Sequence, residues 1–237
     1  MQTLVLVGVT GRSEEALKSR VREIGSLLEE EYGRPAPRRK LRPLDELILT
    51  ILSQHTSDAN SDRAFENLKT RFSSWEDVRD ADIEAIADAI RPGGLARVKA
   101  PRIKDLLQRL SAERGSLDLG FLSQRSLEDA RGFLLGLDGV GPKTAACVLL
   151  FSLDQPAFPV DTHVHRISRR LGLIDPTVSA EEAQRILESV VGPEEVLSFH
   201  VNLITHGRRV CKAQRPRCGA CVLAPRCHYF AAVEPTA

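Results

Sequence analysis

Net charge is almost missing from this chain: 33 Lys and Arg stand against 32 Asp and Glu, leaving +1. A nucleic-acid partner is usually announced by a clear basic excess, so the total alone points to none. Long apolar runs are missing too. The start, Met1 to Val9, is apolar but too short to span a bilayer and carries no basic leader. The chain therefore reads as cytoplasmic, with no membrane partner. Runs of alternating apolar and polar residues are absent, which excludes a β-rich protein. Internal repeats and low-complexity tracts are absent as well, which excludes solenoids and long disordered segments.

What is present is helical periodicity. Glu14–Glu31 places Leu17, Val21, Ile24 and Leu28 three or four apart and precedes a Pro- and Arg-rich loop over 34–40. Further helices are expected over Leu44–Leu52, Asp58–Phe72, Trp75–Asp80, Asp82–Ile90, Val98–Arg114, Ser126–Leu135, Thr162–Leu171, Ala180–Val191 and Pro193–His206. The fold class is all-α. Charge is also unevenly distributed: Arg208, Arg209, Lys212, Arg215, Arg217 and Arg226 follow one another with no acid between them. A duplex responds to the nearest face more than to the total, because salt screens charges beyond roughly 10 Å.

Three motifs carry chemistry. The first is the string Leu137-Asp138-Gly139-Val140-Gly141-Pro142-Lys143-Thr144. Gly139 and Gly141 permit positive φ in a tight turn, and Pro142 suits the first position of a helix. The turn would end on a helix N-terminus whose free amides can take a phosphate. Lys143 then stands in a first turn, where the helix dipole disfavours a cation by roughly 0.3 to 1 kcal/mol. It is either a phosphate-pairing lysine or a nucleophilic amine. The second motif is Val160-Asp161-Thr162-His163 at the start of a helix. Asp161 sits where an N-cap belongs, and a carboxylate there can also stabilise positive charge developing on a substrate. His163, His165 and Arg166 read as packing or hydrogen-bonding residues.

The third motif is four cysteines within seventeen residues. Cys211, Cys218, Cys221 and Cys227 are separated by six, two and five residues. In a reducing compartment such spacing points to metal rather than disulfides. Four thiolates this close could enclose one tetrahedral zinc or one cubane cluster, and the chemistry of the donors does not separate the two. Cys147 lies apart in an apolar helix and belongs to the core.

Taken together, in this order, the three motifs resemble the helix-hairpin-helix superfamily of DNA glycosylases, and within it endonuclease III. The resemblance runs from about Pro43 to Cys227. It implies a central helical barrel over residues 35–155 and a discontinuous iron-sulfur domain from 1–34 and 156–237, with Lys143 and Asp161 facing a common cleft. It also implies a [4Fe-4S] cluster on the four cysteines. Lys143 would be the amine that attacks C1′ of the damaged nucleotide, and Asp161 the catalytic carboxylate. The substrate would be double-stranded DNA carrying oxidised pyrimidines or abasic sites, met by a monomer.

Gly139, Gly141 and Thr144 would anchor phosphate, as would Lys212, Arg215 and Arg217 on the six-residue loop between cysteines. The segment Ile51 to Asp58 resembles the loop that fills the gap left by an extruded nucleotide, with Gln54 or His55 as the plug. Leu95, after Gly93-Gly94, resembles the leucine that wedges the opposite strand. Two rival readings remain: a monofunctional glycosylase, and a non-catalytic hairpin module closed by zinc. Relatives of the first kind lack a lysine at the position of Lys143.

Overall fold

Local capping sets most helix starts. Ser13, Ser74, Ser126 and Ser179 each accept, through the side-chain oxygen, an amide of the first turn that follows. Pro43 and Pro142 occupy first positions, where the missing N–H costs nothing. The computed structural model describes residues 13–36 and 40–233, and among these it contains helices and no strand. The helices are α1 (Glu14–Tyr32), α2 (Pro43–Leu52), α3 (Asp58–Arg71), α4 (Trp75–Asp80), α5 (Ile83–Ala89), α6 (Ala96–Arg114), α7 (Leu127–Leu135), α8 (Pro142–Leu153), α9 (Thr162–Arg170), α10 (Ala180–Val190), α11 (Val196–Arg209) and α12 (His228–Val233). None is long and apolar enough to cross a membrane.

The chain divides into two compact units. One is Arg39–Gln155, and the other joins Met1–Arg38 to Pro156–Ala237. In the first unit α2 lies against α8, and both are buried over most of their length. α6 packs on α4 and α5, and α3 packs on α2 and α5. Trp75 is anchored inside this unit by its indole N–H, which donates to the buried Asp45 carboxylate at 2.8 Å. In the second unit α11 is gripped between α1 and α9. The stripe expected on the first helix is real: Leu17, Val21, Ile24 and Leu28 are buried. The Arg20 guanidinium beside that stripe donates to the carbonyl of Leu171 at 2.8 Å and to that of Arg226.

Three boundaries differ from the sequence expectation by more than one residue. The helix expected from Pro193 starts at Val196, because residues 193–195 form a turn closed by the Glu195 N–H donating to Gly192 O at 2.8 Å. It then runs on through Arg208 and Arg209, cations that suit the negative end of a helix. α6 starts two residues early, at Ala96, because the amides of Val98 and Lys99 both donate to Leu95 O. The short α12, directly after the last cysteine, was not expected.

Candidate functional site

The glycine hairpin forms the entry to α8. Gly139 has φ +79, so a left-handed turn residue is required there. Gly141 does not share that need: its φ is −92, an extended N-cap, and the expectation of positive φ at this glycine is corrected. A Cβ on Gly141 would meet nothing within 4 Å, so its bareness serves open space beside the helix end. The first intrahelical bond at this end is from Ala145 N–H to Gly141 O at 3.0 Å. The amides of Lys143 and Thr144, earlier in the same turn, are therefore of the kind a helix leaves for an outside acceptor. The Lys143 side chain is half-buried, whereas that of Thr144 is buried. What Thr144 can offer an anion is its backbone N–H.

Asp161 caps α9. Its Oδ1 accepts from the Val164 amide at 2.8 Å, leaving the second carboxylate oxygen for another partner. The two histidines behind it are structural. His165 Nε2 lies 2.8 Å from Val178 O, and His163 Nδ1 lies 3.1 Å from the Arg166 guanidinium. Arg166 also donates to the carbonyls of Cys211 at 2.9 Å and Gly207 at 3.2 Å. One turn later Arg170 donates to Cys211 Sγ at 3.2 Å and to Lys212 O at 2.7 Å. The helix that presents Asp161 thus holds the cysteine loop with two arginines. Sequence reasoning missed Arg170, although its i, i+4 spacing from Arg166 was there to be read.

All four C-terminal cysteines are half-buried and line a single small pocket together with Arg170, Tyr229 and Phe230. Among the described residues no three of the ligand-type side chains converge tightly enough to hold one metal ion. Four thiols around one open space are a donor set that could hold one metal ion or one cluster. Burial pushes the Cys221 thiol up to about 11, so its thiolate requires compensating positive charge. A buried chain of side chains approaches it from α1 and α11. The Tyr32 hydroxyl lies 2.9 Å from His206 Nδ1, and His206 Nε2 lies 3.5 Å from Cys221 Sγ. Burial lowers the His206 pKa to about 4, which keeps the ring neutral. In the tautomer that accepts from Tyr32, its other N–H points at sulfur. Lys212, Arg215 and Arg217 on the intervening loop are exposed.

Both expected penetrating residues stand on exposed turns of the first unit. His55 is exposed with φ +55, and the adjacent Gln54 is half-buried. Leu95 is 52% exposed with φ +50 and forms the N-cap of α6. Left-handed backbone at non-glycine residues is costly and is kept only where the surroundings impose it. Sequence reasoning passed over the group that sits between the two turns. Lys99, 2% exposed, donates from Nζ to Leu52 O at 2.6 Å and to Gly93 O at 2.8 Å. Burial lowers its pKa.

Residues 48–193, more than half of the chain, match the family described as HhH-GPD superfamily base excision DNA repair protein. A DNA glycosylase-like protein of Arabidopsis thaliana is 43% identical over 165 residues, 70% of this chain and 56% of that protein, so the chain spans little more than half of that relative. Endonuclease III of Sulfolobus acidocaldarius is 33% identical over 186 residues, 78% of this chain and 81% of the enzyme. A solved non-covalent endonuclease III–DNA complex superposes with a TM-score of 0.80 at 28% identity, covering 91% of this chain and 97% of the other. A trapped covalent endonuclease III–DNA intermediate superposes at 0.76 and 27% identity, covering 94% and 99%.

Proposed function

The chain belongs to the HhH-GPD superfamily of base excision DNA repair proteins, in its endonuclease III branch, and on that footing we propose a bifunctional glycosylase that excises oxidised pyrimidines from duplex DNA and then nicks the strand. The observation that carries the reading is Lys143 itself. An amine stands half-buried in the first turn of α8, directly after the glycine hairpin, where a helix end disfavours a cation.

In this reading the Lys143 amine attacks C1′ of the extruded nucleotide. The C1′–N bond breaks, and the base leaves with the bonding pair and takes a proton. The amine loses its own protons as the sugar ring opens to a Schiff base. Removal of a C2′ proton then expels the 3′ phosphate by β-elimination. Asp161 keeps its place through the Val164 amide and sets a negative charge against the cationic sugar. The open amides of Lys143 and Thr144 receive a phosphate. His55, the more exposed of its pair, fills the vacated space, and Leu95 wedges the opposite strand.

Cys211, Cys218, Cys221 and Cys227 would hold a [4Fe-4S] cluster, which supplies charge compensation and a covalent tie and leaves the loop of Lys212, Arg215 and Arg217 in a fixed shape. The test is borohydride trapping on duplexes bearing thymine glycol or an abasic site. A covalent adduct formed by the wild type and absent from Lys143→Ala is the expected result. Base release without any adduct would instead make this a monofunctional enzyme.

A further inference from the structure

The two turns that would enter DNA are separate in sequence yet share one root. Leu52 ends α2, two residues before Gln54 and three before His55, and Gly93 ends the short 3-10 turn Arg91–Gly93, two residues before Leu95. Carbonyls at helix ends lack intrahelical partners and carry the negative end of the dipole. Both of these carbonyls are taken by a single buried ammonium, Lys99 Nζ, at 2.6 and 2.8 Å. The Lys99 backbone amide meanwhile donates to Leu95 O at 2.9 Å. The segments also touch directly. A Cβ on Gly93 would stand 3.0 Å from Ala64 Cβ on α3 and 3.8 Å from Leu52 O, so a side chain there would press on α3 and glycine eases the approach.

Burying an ammonium is expensive unless its contacts offset the cost, and here the offset comes from two carbonyls at the roots of the two turns. The charge makes sense where its hydrogen bonds fix something that packing would leave loose. We infer that Lys99 is a positioning residue for lesion opening: its ammonium pins the roots of both turns, so that His55 and Leu95 enter the duplex as one rigid pair. The inference rests on the proposed function, since it assigns to these turns the work of opening DNA. Lys99 itself, buried behind them, touches no DNA.

The test compares wild type with Lys99→Met, which keeps the stem of the side chain and removes its donors. Opening is read by 2-aminopurine fluorescence opposite a tetrahydrofuran abasic analogue, which needs no chemistry. Lys99→Met is expected to bind undamaged duplex within about twofold of wild type, because phosphate contacts are untouched. It should lose the fluorescence rise, and excise lesions at least about tenfold more slowly, as befits a step costing a few kcal/mol. Opening equal to wild type overturns the inference. So does a loss of opening matched by an equal loss of undamaged-duplex binding, which would mean a scaffold role only.

Hydrogen exchange on the wild-type protein provides a measurement that needs no variant. Amides of 53–57 and 93–98 should open in one step with a common rate, and two well-separated rates overturn the shared root. A wild type that opens the duplex but releases no base refutes the proposed chemistry and leaves Lys99 its role. Normal excision by wild type with equal opening by Lys99→Met refutes the role of Lys99 alone.

Discussion

The Asp161 carboxylate accepts the Val164 amide at 2.8 Å, so one of its oxygens is committed to holding α9 while the other can serve the role proposed for it in charge stabilisation. This double duty separates stability from activity. Asp161→Asn keeps a good N-cap and should melt within about 0.5 kcal/mol of wild type, because asparagine and aspartate cap about equally well. Its base release should fall by at least about a hundredfold, the order seen when a charge-stabilising group is removed from an active site. Asp161→Ala should lose activity and also about 1 kcal/mol of stability. Thermal melts beside single-turnover excision check both, and an active Asp161→Asn would remove the carboxylate from the mechanism.

Lys143 gives the opposite pairing of effects. Lys143→Gln removes a cation from the first turn of α8 and should leave stability unchanged or raise it by about 0.3 to 1 kcal/mol. The same variant should form no borohydride adduct. A stabilised but inactive protein is the pattern expected where function has kept a residue that folding disfavours. Denaturant titration and trapping on one preparation decide it.

The cysteine cluster predicts a colour and a melting point. If the proposed cluster is held here, replacing Cys218 or Cys221 by alanine should remove visible absorption and iron, and should lower the unfolding temperature, since the cluster would join the loop to Cys211, which meets Arg170, and to Cys221, which meets the chain of His206 and Tyr32. Cys147→Ala is the control. That thiol is buried in α8 and does not line the pocket, and its loss should cost about 1 kcal/mol with the colour intact. Zinc without iron in the purified wild type would overturn the cluster assignment.

Lys212, Arg215 and Arg217 should be read through salt. Each phosphate contact contributes about 0.9 to the slope of log affinity against log salt, so changing all three to glutamine should flatten that slope by as much as about 2.7. All three side chains are exposed, so little stability is at stake. An unchanged slope would leave the loop a solvated surface.

Much of the molecule is written locally. The stripe of Leu17, Val21, Ile24 and Leu28, the serines that cap α1, α4, α7 and α10, and Pro142 at the head of α8 act within a turn or two of themselves. So does the spacing of Cys211, Cys218, Cys221 and Cys227, because short loops bring their ends together whatever lies around them. These features made the helical class, the hairpin and the grouping of the four cysteines legible in the sequence. The tertiary structure decided what depends on partners far along the chain. It made Gly141 an extended cap rather than a left-handed turn, and it moved the start of α11 from Pro193 to Val196. It turned Arg166 and Arg170 into clamps on the cysteine loop some 41 to 45 residues away. It also buried Lys99 against Leu52, 47 residues distant. A lysine in an amphipathic stretch reads as solvated, and only the tertiary approach of the end of α2 and of the Arg91–Gly93 turn shows the two carbonyls that take its charge.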